Sequence, residues 1–224
     1  MIFSLETWQI TLFSLAVGLA STLVILPFGI VLAWVFARKE WPFKSAVETI
    51  VLLPLVMPPV STGLILLKVF GRRSPVGQWL YDHGVEIVFN WKGVLIAMAV
   101  MSFPLLVRSV RTSFSDVNPR LEQIAATLGA SPFKIFFVIT IPLAYKGIIA
   151  GALLAFSRAL GEFGATILLA GNIPGQTQTL SLAIFNFVQT GKDSEAYVLL
   201  GITVILAFTF VWFSEWLLRT GKKA

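Results

Sequence analysis

The sequence predicts an all-α protein, a polytopic membrane helix bundle of about five transmembrane helices, in a single transmembrane domain over residues 1–224. Three observations predict it. Hydrophobic residues make up 57% of the chain and charged residues only 12%, whereas a water-exposed surface needs roughly a quarter charged residues. The apolar residues fall in long runs, and a bilayer core of about 30 Å needs about 20 of them per helix. Basic residues and tryptophans gather near the ends of those runs, where membrane interfaces favour them.

Taken in order, the first span runs from Thr7 to Ala37 and contains Pro27 and Gly29. The stretch before it, Met1 to Gln9, carries Glu6 and no Lys or Arg, and the following run is too long for a signal-peptide core, so no cleaved leader is expected. The second span, Val47 to Phe70, is dense in helix breakers (Pro54, Pro58, Pro59 and Gly63), and the Pro58-Pro59 pair is where it would break. Gly93 to Val110 forms the third, with Pro104 inside it. The fourth covers Pro142 to Gly171, and the fifth Ala196 to Leu218. Leu180 to Gln189 is apolar but too short to cross, so it reads as a re-entrant or surface helix. Placing the N-terminus outside puts eleven of seventeen basic residues on one side: Arg38, Lys39, Lys44, Arg108, Arg111, Arg120, Lys134, Lys146, Arg219, Lys222 and Lys223. Only Arg72, Arg73, Lys92 and Lys192 fall opposite, so the crowded side is expected to be cytoplasmic, with the C-terminus there. All seven tryptophans (Trp8, Trp34, Trp41, Trp79, Trp91, Trp212 and Trp216) read as interfacial anchors.

Several functions are excluded by what the chain lacks. The formal charge of +6 is spread between apolar runs rather than along one face, which fits membrane flanks and not nucleic acid. There is no cysteine and His83 is the only histidine, so a thiolate nucleophile and a Cys/His metal centre are absent, and no cofactor is expected. No phosphate-binding G-x-x-x-x-G-K-[ST] loop occurs: at Gly191-Lys192 an Asp follows, and position 186 is Asn. The chain is expected to be a non-catalytic membrane subunit, so uphill transport needs energy from another chain or an ion gradient. A gradient-driven carrier usually shows an inverted repeat, and five unequal spans show none; a membrane enzyme is the other alternative.

The loop at about 112–141 carries the strongest local signal. Asn118 caps a helix whose first residue is Pro119, and Gly129 ends it in a left-handed conformation. Ser131 and Pro132 start the next one. Leu121, Ile124, Ala125 and Leu128 lie at i, i+3, i+4 and i+7, forming one apolar stripe on a helix too short to cross the membrane. Such a stripe packs under its own membrane domain, lies on lipid, or docks in the groove of a cytosolic partner.

The run Glu122-Gln123-Ile124-Ala125-Ala126-Thr127-Leu128-Gly129-Ala130-Ser131-Pro132, ending at Ile139-Thr140-Ile141-Pro142, resembles the "EAA" loop of bacterial ABC import permeases. Gly129, Ile139, Pro142 and Ala125 stand at the family's spacing. Gln123 stands where Glu is usual, Ile124 replaces an Ala, Ile141 replaces Leu, and Glu122 is one position early. The resemblance implies that residues Leu121 to Pro132 form the coupling helix that sits in a cleft of a cytosolic ATPase subunit. Ser102 to Arg111, Arg158 to Thr166 and Gly171 to Thr179 are similar to molybdate permeases of the ModB type, and Arg158 to Ala165 is shared with sulfate and tungstate permeases. That implies a type I (MetI-like) ABC importer permease in the bacterial inner membrane, working as a homodimer. It also implies an external oxyanion-binding protein, received by the outer loop Gly171 to Thr179, which composition alone describes as an exposed turn.

Arg158 and Glu162 fall near the middle of the fourth span at i, i+4, where charges need a partner or a wet cavity. They read either as a self-neutralising packing pair or as electrostatics for an anion path. A tetrahedral oxyanion is held well by neutral donors. Ser61 and Thr62, beside the broken Pro58-Pro59 backbone, and Thr166 are the candidates, set against simple bonding to their own helix. Gly147, Gly151, Ala155 and Ala159 recur every four residues and permit close helix approach, within the chain or at a seam between two copies.

Overall fold

The computed structural model describes residues 5–221 and is helical throughout its regular structure. Lys222 and Lys223, counted among the basic flanks, lie outside the described residues. Four helices are long and apolar enough to cross a membrane, and a fifth crossing is made by a bent pair.

Helix α1, Leu5–Arg38, tolerates Pro27 in its interior and ends on Arg38, a cation at the negative end of the helix. The second crossing is two helices, α2 (Lys44–Val56) and α3 (Pro59–Phe70), bent by 110° at Met57-Pro58. Proline explains the break: Pro58 and Pro59 offer no N–H to the turn before them, and Pro59 suits the first position of a new helix. A short helix α4, Pro75–Asp82, follows, then the central crossing α5, Trp91–Asp116. Helix α6, Pro119–Thr127, is the predicted short helix. The fourth crossing then runs from α7 (Pro132–Ile135) through a π-helical turn, Phe136–Thr140, into α8 (Ile141–Leu160). Two short helices, α9 (Gly164–Leu169) and α10 (Leu180–Gln189), precede the last crossing α11, Asp193–Gly221.

Contacts fix the topology. A Cβ on Gly29 would meet Leu106, and Arg38 reaches Val117, so α1 and α5 run side by side in the same direction. Gly147 abuts Ser113 and Gly151 abuts Ser109, so α8 runs opposite to α5. The Ser214 hydroxyl donates to the Ala150 carbonyl at 3.0 Å and Phe210 meets Phe156 edge-on at 4.8 Å, so α11 reverses again. Arg38 and the end of α5 therefore share one end of the bundle. Between them the chain must cross once, which makes α2 and α3 together a spanning unit. Five crossings follow, and Leu5 and Arg219 lie at opposite ends.

Two expectations about spans are corrected. The fourth was placed at Pro142 to Gly171, but the helix begins ten residues earlier, at Pro132, and stops at Leu160. Pro142 was read as its start and is instead accommodated inside it. A proline ring clashes with the carbonyl four residues back; the wide π turn ending at Thr140 relieves that clash, and Ile141 N–H bonds Phe136 O instead. The expected stretch after Leu160 is non-helical at Gly161 to Phe163 and turns back as α9 against α3. Leu180 to Gln189 forms a short helix packed into the bundle: Leu180, Leu182, Ala183 and Phe187 are buried, against Ile10 and Leu199 among others.

The small-residue stripe of α8 is used up inside the chain. Any Cβ on Gly147 would overlap the Ser113 side chain, and one on Gly151 would crowd Ser109 and Val110 at 3.1 Å. Ala155 and Ala159 are fully buried. The stripe seats α8 on its own neighbours, and the reading of it as a seam between copies is not supported. The tryptophans divide. Trp8, Trp79, Trp91, Trp212 and Trp216 are exposed, as anchors need. Trp34 and Trp41 pack instead on Phe136 and Phe36, at ring separations of 5.3 and 6.0 Å.

Candidate functional site

Two groups of predicted residues need placing, those of the α6 loop and those at membrane depth.

The α6 loop forms as its punctuation dictates. Asn118 Oδ1 accepts from Arg120 N at 3.0 Å, with Pro119 in the first turn. Gly129 has φ 85°, and Ala130 N–H returns to Ala125 O at 3.0 Å. Ser131 Oγ accepts from Lys134 N, with Pro132 following it. No residue of α6 is buried. Leu121, Ile124 and Leu128 are 44, 56 and 82% exposed, and Phe133 of α7 extends the same apolar surface. The stripe does not pack under its own membrane domain. Gln123 is exposed, while Ala125 and Ala130 are half-buried.

A neighbouring flank of α6 is held firmly, by residues that sequence reasoning missed. The Glu122 carboxylate accepts Arg38 Nε at 2.9 Å on Oε2 and Arg38 Nη2 at 3.1 Å on Oε1. Arg38 Nη2 also donates to Val117 O at 2.9 Å, and the buried Thr140 hydroxyl donates to Glu122 Oε1 at 2.7 Å. The Arg38 and Glu122 side chains are only 12 and 17% exposed. Arg38 counted in the sequence only as a basic flank; its pairing across 84 positions left no local signal.

The charge pair lies at the end of the fourth crossing, with Arg158 in the last turn of α8. Arg158 and Glu162 do touch, Nη1 to Oε2 at 2.9 Å, but not along an intact helix near mid-span. Glu162 sits in the break after α8, 1% exposed, and its Oε1 accepts the Ala165 N–H at 2.8 Å. One carboxylate thus neutralises Arg158 and caps the turn that begins α9. Arg158 keeps 28% of its side chain exposed. Helix α9 lies tightly on α3: a Cβ on Gly63 would come within 2.8 Å of Ala165 Cα, and one on Gly164 within 2.8 Å of Pro59. Thr62 and Thr166 both lie on this seam, buried, and neither hydroxyl finds a partner. That sets them apart from Thr11, Thr22 and Ser102, which bond back to their own helices at 2.7–2.9 Å. A buried, unpartnered hydroxyl is a donor held in reserve. Ser61 flanks them at the start of α3, half-buried. The approaches of Gly164 to Pro59 and of Gly63 to Ala165 bring the break before α3 and the break before α9 together, with Ser61, Thr62 and Thr166 beside them and the Arg158–Glu162 pair at the second break; irregular backbone inside a membrane is tolerated where protein buries it or it lines a cavity.

The loop Gly171 to Thr179 is less exposed than its composition implies. Thr177 Oγ1 accepts Ile173 N at 3.0 Å and donates to Gly171 O at 3.3 Å, and Thr177 to Thr179 are buried. Pro174, Gly175 and Gln176 remain exposed. A shallow cavity of about 270 Å³ lies there, lined by Glu6, Gln9, Gly175, Gln176 and Gln178 among others.

Comparison with known proteins places this geometry. The model of the family described as "binding-protein-dependent transport system inner membrane component" matches residues 25–219. The chain is 46% identical over 225 residues to the molybdenum transport system permease protein ModB of Escherichia coli (strain K12), covering 100% of this chain and 98% of that one. Its fold is also that of solved ABC transporters. One imports the acidic polysaccharide alginate (TM-score 0.70, 18% identity, 99% of this chain and 80% of that one). Another is the inward-facing MetNI methionine transporter (TM-score 0.64, 18% identity, 98% and 99%). This multi-pass membrane chain belongs to the binding-protein-dependent transport system inner membrane components, among the molybdenum transport permeases of the ModB type.

Proposed function

We propose that the chain is the membrane permease subunit of an inner-membrane ABC importer, carrying molybdate or a closely related oxyanion by alternating access driven by a separate cytosolic ATPase. The observation that carries the coupling half is α6: an apolar face of Leu121, Ile124 and Leu128 left exposed on a helix whose neighbouring flank is pinned to its own chain. An exposed greasy stripe on a braced helix is built to enter a groove. Its end of the bundle holds Arg38, Arg111, Arg120 and Lys134, the basic excess that favours the cytoplasm. The N-terminus then lies outside and the C-terminus inside. The outer cavity bounded by Gly175, Gln176 and Gln178 faces an anion-loaded binding protein.

The path half rests on the α3–α9 seam. Neutral hydroxyls of Thr62 and Thr166, with Ser61, offer hydrogen bonds to a doubly charged anion without trapping it. Arg158 supplies attraction, and Glu162 moderates it. Two copies pair about this region to enclose the path, and ATP-driven closure of two ATPase chains shifts the assembly between its inward- and outward-open states.

The expected test result is specific to Gly129. An L-residue with a β-branched side chain resists φ near +85°, at a cost of about 1–2 kcal/mol or more. No atom lies within 4 Å of the position a Cβ would take, so the defect is confined to the helix end. Gly129→Val is expected to reach the membrane in normal amount but to lose the ATPase on co-purification, and with it labelled molybdate uptake. Gly129→Asn, which tolerates the left-handed region, is expected to retain both. Normal co-purification of the ATPase with Gly129→Val would overturn the coupling role.

A further inference from the structure

We infer that Arg38, Glu122 and Thr140 form a load-bearing latch through which movement of α6 reaches α1 and the π-helical start of the fourth crossing. This rests on the reading of α6 as the coupling helix and adds how its motion enters the bundle. Chain connectivity alone joins α6 only to α5 before it and α7 after it. Both joints are short: Val117 and Asn118 on one side, and Leu128 to Ser131, with left-handed Gly129, on the other. A helix hung on such joints pivots. The latch removes that freedom. Arg38 grips both oxygens of Glu122 and, with the same guanidinium, the carbonyl of Val117. It ties the last residue of α1, the end of α5 and the first turn of α6 into one body. A bidentate fork fixes orientation as well as distance.

The fourth tie is Thr140. Its hydroxyl, fully buried, donates to Glu122 Oε1 at 2.7 Å, and it closes the π turn Phe136–Thr140. The π turn ahead of Pro142 is an irregular turn inside an otherwise α-helical crossing, a feature that recurs at functional sites. A push on α6 is therefore delivered through Glu122 to the π turn of the fourth crossing, while Leu121, Ile124 and Leu128 stay free for the partner. Arg38 and Thr140 are positioning residues in this scheme: they touch neither the anion nor the ATPase.

The test compares the reconstituted complex of full-length permease, ATPase and binding protein for Arg38→Gln, Thr140→Val, Glu122→Gln and the double variant Arg38→Gln/Glu122→Gln. Two quantities are read, molybdate uptake and ATP hydrolysis, with co-purification of the ATPase as a separate measurement. The latch predicts that Arg38→Gln and Thr140→Val keep the ATPase bound and hydrolysing, with molybdate moved per ATP falling about tenfold for Arg38→Gln and several-fold for Thr140→Val. It predicts that the double variant is no worse than Arg38→Gln alone, because one contact is being removed twice. Thr140→Ser, which restores the hydroxyl, should recover the ratio. An unchanged ratio in Arg38→Gln and Thr140→Val would overturn the latch. So would parallel loss of ATPase binding and uptake in every variant, because the contact would then only maintain the shape of α6. Failure of the coupling reading itself looks different: the ATPase would stay bound when the exposed apolar face of α6 is destroyed.

Discussion

Replacing Ile124 and Leu128 together by Asp strips the ATPase from the permease while leaving the permease in the membrane. Both side chains are more than half exposed and touch no core cluster, so the bundle loses nothing when they change. In the proposed coupling role they are buried in the ATPase. Full burial of one such side chain contributes about 1.5–3 kcal/mol. Loss of two, with carboxylates desolvated in their place, costs about 5 kcal/mol or more, which is at least roughly a thousandfold in affinity. Co-purification and quantitative binding of the ATPase to detergent-solubilised permease both read this directly. Conservative exchange to Leu and Met respectively is expected to preserve binding, because volume and apolarity are kept. Retention of the ATPase by the double Asp variant would mean that the exposed stripe rests on lipid instead.

Glu162→Ala is expected to have the largest effect on the bundle itself. It leaves Arg158 without its counter-charge and the Ala165 N–H without its acceptor, in a site where Glu162 is 1% exposed. Breaking a buried pair costs about 3–5 kcal/mol, and the partly solvated head of Arg158 places this case near the lower end. At about 2–4 °C per kcal/mol for a chain of this size, the melting temperature in detergent should fall by roughly 10 °C. The double variant Arg158→Gln/Glu162→Gln separates the two readings of the pair. It removes both charges at once and keeps a side-chain oxygen for Ala165, so most of the stability returns. If the pair only packs, uptake returns with it. If Arg158 draws the anion inward, the double variant is stable yet transports molybdate at a small fraction of the normal rate, and that is the expected outcome.

What the sequence disclosed and what it concealed follow one physical division. Local signals were read correctly: Asn118, Pro119, Gly129 and Ser131 each fix the backbone within a few residues of themselves, and all four act as their chemistry dictates. The Pro58-Pro59 break was also legible, since proline forbids a continuous turn wherever it sits. Non-local facts were not. Whether Gly147 and Gly151 face a second copy or their own α5 depends on which helix lies alongside, which spacing cannot say. The end of the fourth helix at Leu160 depends on α9 folding back onto α3, a contact made possible by Gly63 and Gly164 at positions about a hundred residues apart. The π turn was invisible because apolar periodicity runs unbroken through Phe136 to Thr140, and only the ring of Pro142 demands it. The grip of Arg38 on Glu122 spans 84 positions and leaves no trace in either neighbourhood.

Because the chain contains no cysteine, a single Leu128→Cys thiol reports unambiguously on where α6 sits. The decisive measurement is cross-linking of that thiol to the ATPase in intact cells, with a membrane-impermeant thiol reagent applied from outside as the counterpart. The account predicts a permease–ATPase adduct whose yield changes with bound nucleotide, and no reaction from outside. Labelling of Leu128→Cys from the outer face, or molybdate uptake by a chain that never forms the adduct, would contradict it.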